Sequence, residues 1–151
     1  MPEKSISIPL QETGLNLHGT LRGRFEDPTI IIIPGMGGDM NDLLSYNASR
    51  YFEDQGLSSL RLSLNSGAFD QRNIKDCDIN TFLSDIDDAV DFVKHQRAPW
   101  ICTLGHSFGS MAILYSKKQA FDAAILWDPS HTDNFGNDQS SQNLAKHFFV
   151  R

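Results

Sequence analysis

Hydrophobic and polar residues alternate in two short stretches near the N-terminus. Residues 5–10 place Ile6, Ile8 and Leu10 on one face, and residues 15–21 place leucines on one face in the same way. A period of two is typical of strands with one buried face. Thr13 and Gly14 lie between the stretches, where a turn is needed. The pattern therefore predicts a hairpin of two half-buried strands.

The next apolar segment, residues 29–33, shows no alternation. It reads Thr-Ile-Ile-Ile-Ile and stops at Pro34 and Gly35. A β-branched run that is apolar on both faces is typical of a central strand in a parallel sheet, because helices cover both sides of such a strand.

Helical and strand patterns then alternate along the chain. Apolar residues at helical spacing begin after Asn41 and stop at Gly56, a strand follows over residues 57–64, and residues 65–76 form a loop. A second helix is predicted over residues 79–96. We expect its carboxylates to form a solvated face; they are Asp85, Asp87, Asp88 and Asp91.

Two more apolar strands complete the pattern. One covers residues 100–104 and leads into a helix that contains Met111, and the other is predicted as a buried strand over residues 123–127 that ends at Asp128. Strands that alternate with helices predict an α/β domain with a mostly parallel sheet and helices on both faces. We assign this domain to residues 1–130, and residues 131–151 to a polar tail that is a candidate for the start of a cap segment.

Composition narrows the class of protein. The chain has 151 residues, of which 40% are hydrophobic, and a formal net charge of −6. Such a chain can bury a core without disulfides or a structural metal. The acidic balance argues against nucleic acid as a partner, and no apolar run approaches the roughly 20 residues of a membrane span. The N-terminal residues lack a secretory pattern, so we expect a cytoplasmic protein.

One motif carries candidate chemistry. Residues 105–109 read Gly-His-Ser-Phe-Gly, directly after a predicted strand and directly before a predicted helix. A Gly-x-Ser-x-Gly sequence in this context is typical of a nucleophile elbow, a strained turn that exposes a serine hydroxyl. Ser107 is the predicted nucleophile. The alternative is a helix-capping serine in a glycine-rich turn, since serine is a favoured N-cap residue.

A second motif agrees with the first. Residues 34–38 read Pro-Gly-Met-Gly-Gly and follow the apolar strand at residues 29–33. Acyl transfer needs two N–H donors for the oxyanion, one from the residue after the nucleophile and one from a loop after another strand. These donors are predicted at Phe108 and Met36. A dinucleotide fingerprint is the alternative, but Met40 occupies its third glycine position.

With these motifs the chain resembles the α/β-hydrolase family over residues 6–128. The resemblance implies a Ser-acid-His triad, a small-molecule substrate with an ester-like or acyl group, and no cofactor. Asp128 stands where a minority of members carry the acid. The resemblance also implies two further strands and a distant histidine, but 23 residues follow Asp128 where roughly 34 are needed. We therefore expect a C-terminally truncated hydrolase fold, in which His131 is the candidate base and His147 the other downstream histidine.

Two further expectations follow from the missing part of the fold. A domain without a complete triad could serve as a binding or interaction module instead of an enzyme. The strand at residues 123–127 would also become the edge of the sheet, and it carries no charge or proline that discourages strand pairing. We expect self-association through this strand.

Overall fold

The computed structural model of the chain describes residues 2–65 and 68–130. The strands are β1 (Glu3–Pro9), β2 (Asn16–Arg22), β3 (Thr29–Ile33), β4 (Ser58–Ser63), β5 (Ile101–His106) and β6 (Ala123–Trp127). The helices are α1 (Leu43–Asp54), α2 (Ile79–His95) and α3 (Phe108–Tyr115), with one short 3-10 turn (Ile74–Asp76). The predicted strands and helices are confirmed, with bounds shifted by a few residues.

The described strands form one sheet in the order β1-β2-β4-β3-β5-β6. The first two strands form the predicted antiparallel hairpin, and β2 also pairs antiparallel with β4. The remaining pairs are parallel. The prediction of a central β3 is confirmed, because this strand pairs with β4 on one side and with β5 on the other.

Two hydrophobic clusters explain why β3 is apolar on both faces. Ile31 and Ile33 face the larger cluster, which contains residues of α2 and α3. Ile30 and Ile32 face the smaller cluster, against which Phe52 of α1 packs. Helices therefore lie on both faces of the sheet, as the sequence predicts.

The predicted solvated face of α2 is wrong. Asp85, Asp87 and Asp88 are buried, with Asp85 only 1% exposed. Each accepts a hydrogen bond from another part of the chain. The donors are the Arg72 side chain, the Ser116 hydroxyl and the Gln11 backbone N–H, respectively. Segments that are remote in sequence cover this helix face, and no periodicity within α2 reveals them.

The predicted burial of β6 is also wrong. Ile125, Leu126 and Trp127 are 42%, 37% and 43% exposed, so both faces of the strand are partly exposed. β6 pairs with β5 on one side only, and none of the described residues lies at its other edge. Residues 131–151, which include His131 and His147, lie outside the described ranges.

Across residues 2–65 and 68–130, no helix combines the length and the apolar character needed to cross a membrane.

Candidate active site

Ser107 lies in a strained turn between β5 and α3. Its φ of 52° and ψ of −117° lie in a region that residues with a side chain rarely adopt. A non-glycine residue in such a region costs about 1–3 kcal/mol and persists only when its surroundings fix it. The geometry is that of the strand-turn-helix elbow that residues 105–109 predict.

The two glycines of the elbow are required by close backbone contacts. A Cβ added to Gly105 would lie 2.5 Å from the backbone nitrogen of Ser110. A Cβ added to Gly109 would lie 2.6 Å from the carbonyl oxygens of both Ile33 and Pro34. A larger residue at Gly105 would push α3 away from β5, and one at Gly109 would push α3 away from the end of β3.

Hydrogen bonds from β6 and α3 hold the elbow in place. The Ser107 N–H donates to the carbonyl oxygen of Trp127 at 3.0 Å, and the Ser107 carbonyl accepts from the Ser110 N–H at 3.1 Å. The buried Ser110 hydroxyl donates to the Gly105 carbonyl at 2.5 Å. Ser110 therefore supports the turn from inside α3, a role that sequence reasoning missed.

The glycine loop at residues 34–38 lies against the elbow. A Cβ added to Gly35 would be 3.4 Å from the Cβ of Ser107. A tight turn follows, in which the Gly38 N–H donates to the Gly35 carbonyl at 3.0 Å and Gly37 has a φ of 75°. At the tip of this turn, Met36 is 57% exposed.

The two predicted oxyanion donors lie on these two neighbouring segments. Phe108 is the first residue of α3, and its buried ring contacts Phe82 of α2 edge-on at 5.0 Å. A helix N-terminus presents backbone N–H groups and a partial positive charge to whatever lies before it. The arrangement can therefore supply donors next to Ser107, and the roles of Met36 and Phe108 stay predictions.

The hydroxyl of Ser107 has a partner that sequence reasoning missed. Its Oγ lies 2.8 Å from the Oγ of Ser130, and the Ser130 N–H donates to the Ser107 carbonyl at 3.4 Å. A signal for this contact exists in the sequence. Ser130 follows the end of a strand that is parallel to β5, and the carboxyl ends of parallel neighbours meet at one edge of a sheet.

The structure does not bring the other predicted triad members to Ser107 within the described ranges. Asp128 directly follows β6, its side chain is exposed, and its φ is 48°. His131 lies outside the described residues. His106 is half-buried and contacts Trp127 edge-on, with 6.4 Å between ring centroids. His106 therefore packs against the last residue of β6.

Cysteine is a poor candidate for a nucleophile in this chain. Cys102 is buried beneath α1, and burial raises the pKa of its thiol. Burial also raises the pKa of the half-buried Cys77. A thiolate is the reactive form of cysteine, so burial disfavours the reactive form of both thiols.

Several solved structures resemble the chain. GrgF, an alpha/beta hydrolase from Penicillium sp. sh18, matches 97% of this chain with a TM-score of 0.75 and 23% identity. Est1E from Butyrivibrio proteoclasticus, with ferulic acid bound, matches 82% with a TM-score of 0.73 and 20% identity. A dienelactone hydrolase from Anabaena variabilis matches 85% with a TM-score of 0.71 and 17% identity.

These matches concern only part of each solved structure. The chain covers 53% of GrgF, 52% of Est1E and 63% of the dienelactone hydrolase. No protein-family model matches the chain, and no curated protein matches it. The strand order, the elbow and these structures agree on one architecture: the chain has the α/β-hydrolase fold.

Proposed function

We propose that the chain belongs to a serine hydrolase that acts on an ester-like carbonyl. The conformation of Ser107 carries this proposal. A serine held at positive φ between a strand and a helix costs folding free energy, and such strain is concentrated at functional sites. The neighbouring glycine loop at residues 34–38 supports the proposal, because its backbone lies directly against the elbow.

The proposed reaction has two stages. In the first, the Ser107 oxygen attacks the carbonyl carbon, its proton passes to a base, and the backbone N–H groups of Met36 and Phe108 stabilise the oxyanion. The bond from carbon to the leaving group then breaks, and the leaving alcohol or thiol takes the proton from the base. In the second, the base takes a proton from water, the water oxygen attacks the acyl-serine, and the bond from carbon to the Ser107 oxygen breaks. The carboxylic acid leaves, and the proton returns to Ser107. We assign His131 as the base and Asp128 as its acid.

The fold favours esters, lactones or thioesters as the substrate class. The neighbours include a protein named as a dienelactone hydrolase and one with ferulic acid bound. A lactone is a cyclic ester, and ferulic acid is a carboxylic acid of the kind that hydrolysis of an ester releases.

A fluorophosphonate probe tests the proposal directly. The activated serine oxygen attacks phosphorus, fluoride leaves, and the mass of the intact protein rises by one adduct. We expect a single adduct on the parent chain, none on Ser107→Ala, and an unchanged rate on Ser7→Ala, which alters an exposed serine of β1. An adduct that persists in Ser107→Ala would refute the assignment of the nucleophile.

A binding module is the second candidate function. The observation in its favour is that, within the described ranges, the Ser107 hydroxyl contacts the Ser130 hydroxyl and not an imidazole. A module of this kind would bind an acyl compound without turnover. It would give no adduct with the probe, and ester binding measured by calorimetry would survive Ser107→Ala.

A further inference from the structure

We propose that Ser130 is a positioning residue that donates its hydroxyl hydrogen to the Ser107 oxygen. This inference rests on the proposed function of Ser107 and adds a residue to it. The donor direction follows from the chemistry of attack. Ser107 must keep its own hydrogen for the base, so a neighbouring hydroxyl assists only if it donates to the oxygen.

The backbone fixes Ser130 in a position to do this. The segment from Trp127 to Ser130 contacts three groups of Ser107. The Trp127 carbonyl accepts from the Ser107 N–H, the Ser130 N–H donates to the Ser107 carbonyl, and the two hydroxyl oxygens are 2.8 Å apart. A hydroxyl held by its own backbone needs little reorganisation when the nucleophile reacts.

Two residues with restricted backbones link Trp127 to Ser130. Asp128 has a φ of 48°, and the proline ring of Pro129 locks its φ. Trp127 before them and Ser130 after them both form hydrogen bonds with Ser107. In this view the strained residue at position 128 serves the placement of Ser130.

The expected consequence is a more acidic Ser107 hydroxyl. A hydrogen bond donated to an oxygen strengthens when that oxygen becomes an anion, because charge-assisted hydrogen bonds are about twice as strong as neutral ones. Loss of the donor should therefore slow attack about tenfold, the effect of one such bond.

The first experiment measures the rate of fluorophosphonate labelling against pH. We expect Ser130→Ala to react about tenfold more slowly at each pH, with its unfolding midpoint unchanged. Ser130→Thr keeps the hydroxyl and should restore most of the rate. A Ser130→Ala variant with the parent rate would overturn the inference, while loss of the adduct in Ser107→Ala would leave the proposed function intact.

The second experiment needs no catalysis, so it tests the donation from Ser130 even if the chain fails to react with the probe. In a Cys77→Ser background, Ser107→Cys places a thiol at the elbow, and the pH dependence of its alkylation gives its pKa. A donor at Ser130 should lower this pKa, so adding Ser130→Ala should raise it by about one unit. An unchanged or lower pKa would overturn the inference.

Discussion

The two edge strands of the sheet differ in the residues that they expose. At one end, β1 carries Glu3, Lys4 and Pro9 on an edge whose exposed side chains are mostly polar. At the other end, β6 exposes Ile125 and Trp127 and has no charge or proline along its length. Charges and proline discourage the pairing of an edge strand with another chain. The β1 end is therefore protected, and the β6 end is not.

Ion pairs also connect β1, β2, β4 and α1 at the β1 end of the sheet. The Arg61 side chain, 1% exposed, donates to the Glu3 carboxylate at 2.7 Å. Arg22 donates to the same carboxylate at 2.5 Å and to Glu53 at 2.8 Å. Both guanidinium groups lie over the ring of Tyr46, at 5.1 and 5.4 Å. Burial lowers the pKa of Arg61, and the attraction of the Glu3 carboxylate raises it. The carboxylate therefore offsets part of the free-energy cost of burying this cation.

The comparison separates stability from function. Ion pairs stabilise the β1 end, whereas the β6 end contains the strained Ser107, the contact of Ser107 with Ser130 and a partly exposed apolar strand. Changes at the β1 end should cost folding free energy. Changes at the β6 end should alter association and chemistry, and some of them should increase stability.

Glu3→Gln should give the largest effect. It leaves Arg61 buried without a carboxylate, and an unpaired buried charge costs about 3 kcal/mol of stability. Adding Arg61→Met should recover much of the loss, because the double variant contains no unpaired cation at that position. Urea unfolding at pH 7 measures both. A loss below about 0.5 kcal/mol in Glu3→Gln would mean that the ion pairs of Glu3 contribute little to the free energy of unfolding.

Ile125→Lys should weaken self-association at least tenfold, which corresponds to about 1.4 kcal/mol. We expect the parent chain to self-associate through β6, since this strand exposes unpaired backbone groups beside apolar side chains. Sedimentation velocity over a wide concentration range measures the effect. Ser7→Lys adds the same charge to β1 and should change nothing, while a parent chain that stays monomeric throughout would contradict the expectation.

Ser107→Gly should stabilise the chain by about 1 kcal/mol, because glycine adopts positive φ without strain. Ser107→Ala keeps a Cβ and serves as the matched control, with stability close to that of the parent. Thermal unfolding of the three proteins separates the two variants. Equal midpoints for the glycine and alanine variants would show that the elbow stores little strain.

Asp70→Asn should give the smallest change in the free energy of unfolding. The Asp70 carboxylate accepts a hydrogen bond from the His18 ring at 3.0 Å, and this bond lowers the pKa of Asp70. A lowered folded pKa contributes stability above the unfolded value of about 3.9, and this contribution is lost as pH falls through the folded value. The variant should therefore be less stable than the parent at pH 7, and the difference should shrink as the pH falls below about 3.9, as measured by urea unfolding.

The sequence by itself determined the order of strands and helices and the position of the elbow. Periodicity is a local property, so an uninterrupted apolar run such as Thr29–Ile33 is enough to indicate a central strand. The position of the elbow could also be predicted, because α3 approaches β5 at Gly105 and the end of β3 at Gly109 too closely for any side chain. The requirement for glycine at these two positions is therefore visible in the sequence.

Only the tertiary structure decided which polar side chains meet. The contact between Ser107 and Ser130 joins residues 23 positions apart, and the pair of Arg61 with Glu3 joins residues 58 positions apart. The burial of Asp85 depends on a loop that the pattern of α2 does not describe. Burial and partnership of a polar group depend on what packs against it from elsewhere in the chain, so residue type and spacing within one element cannot reveal them.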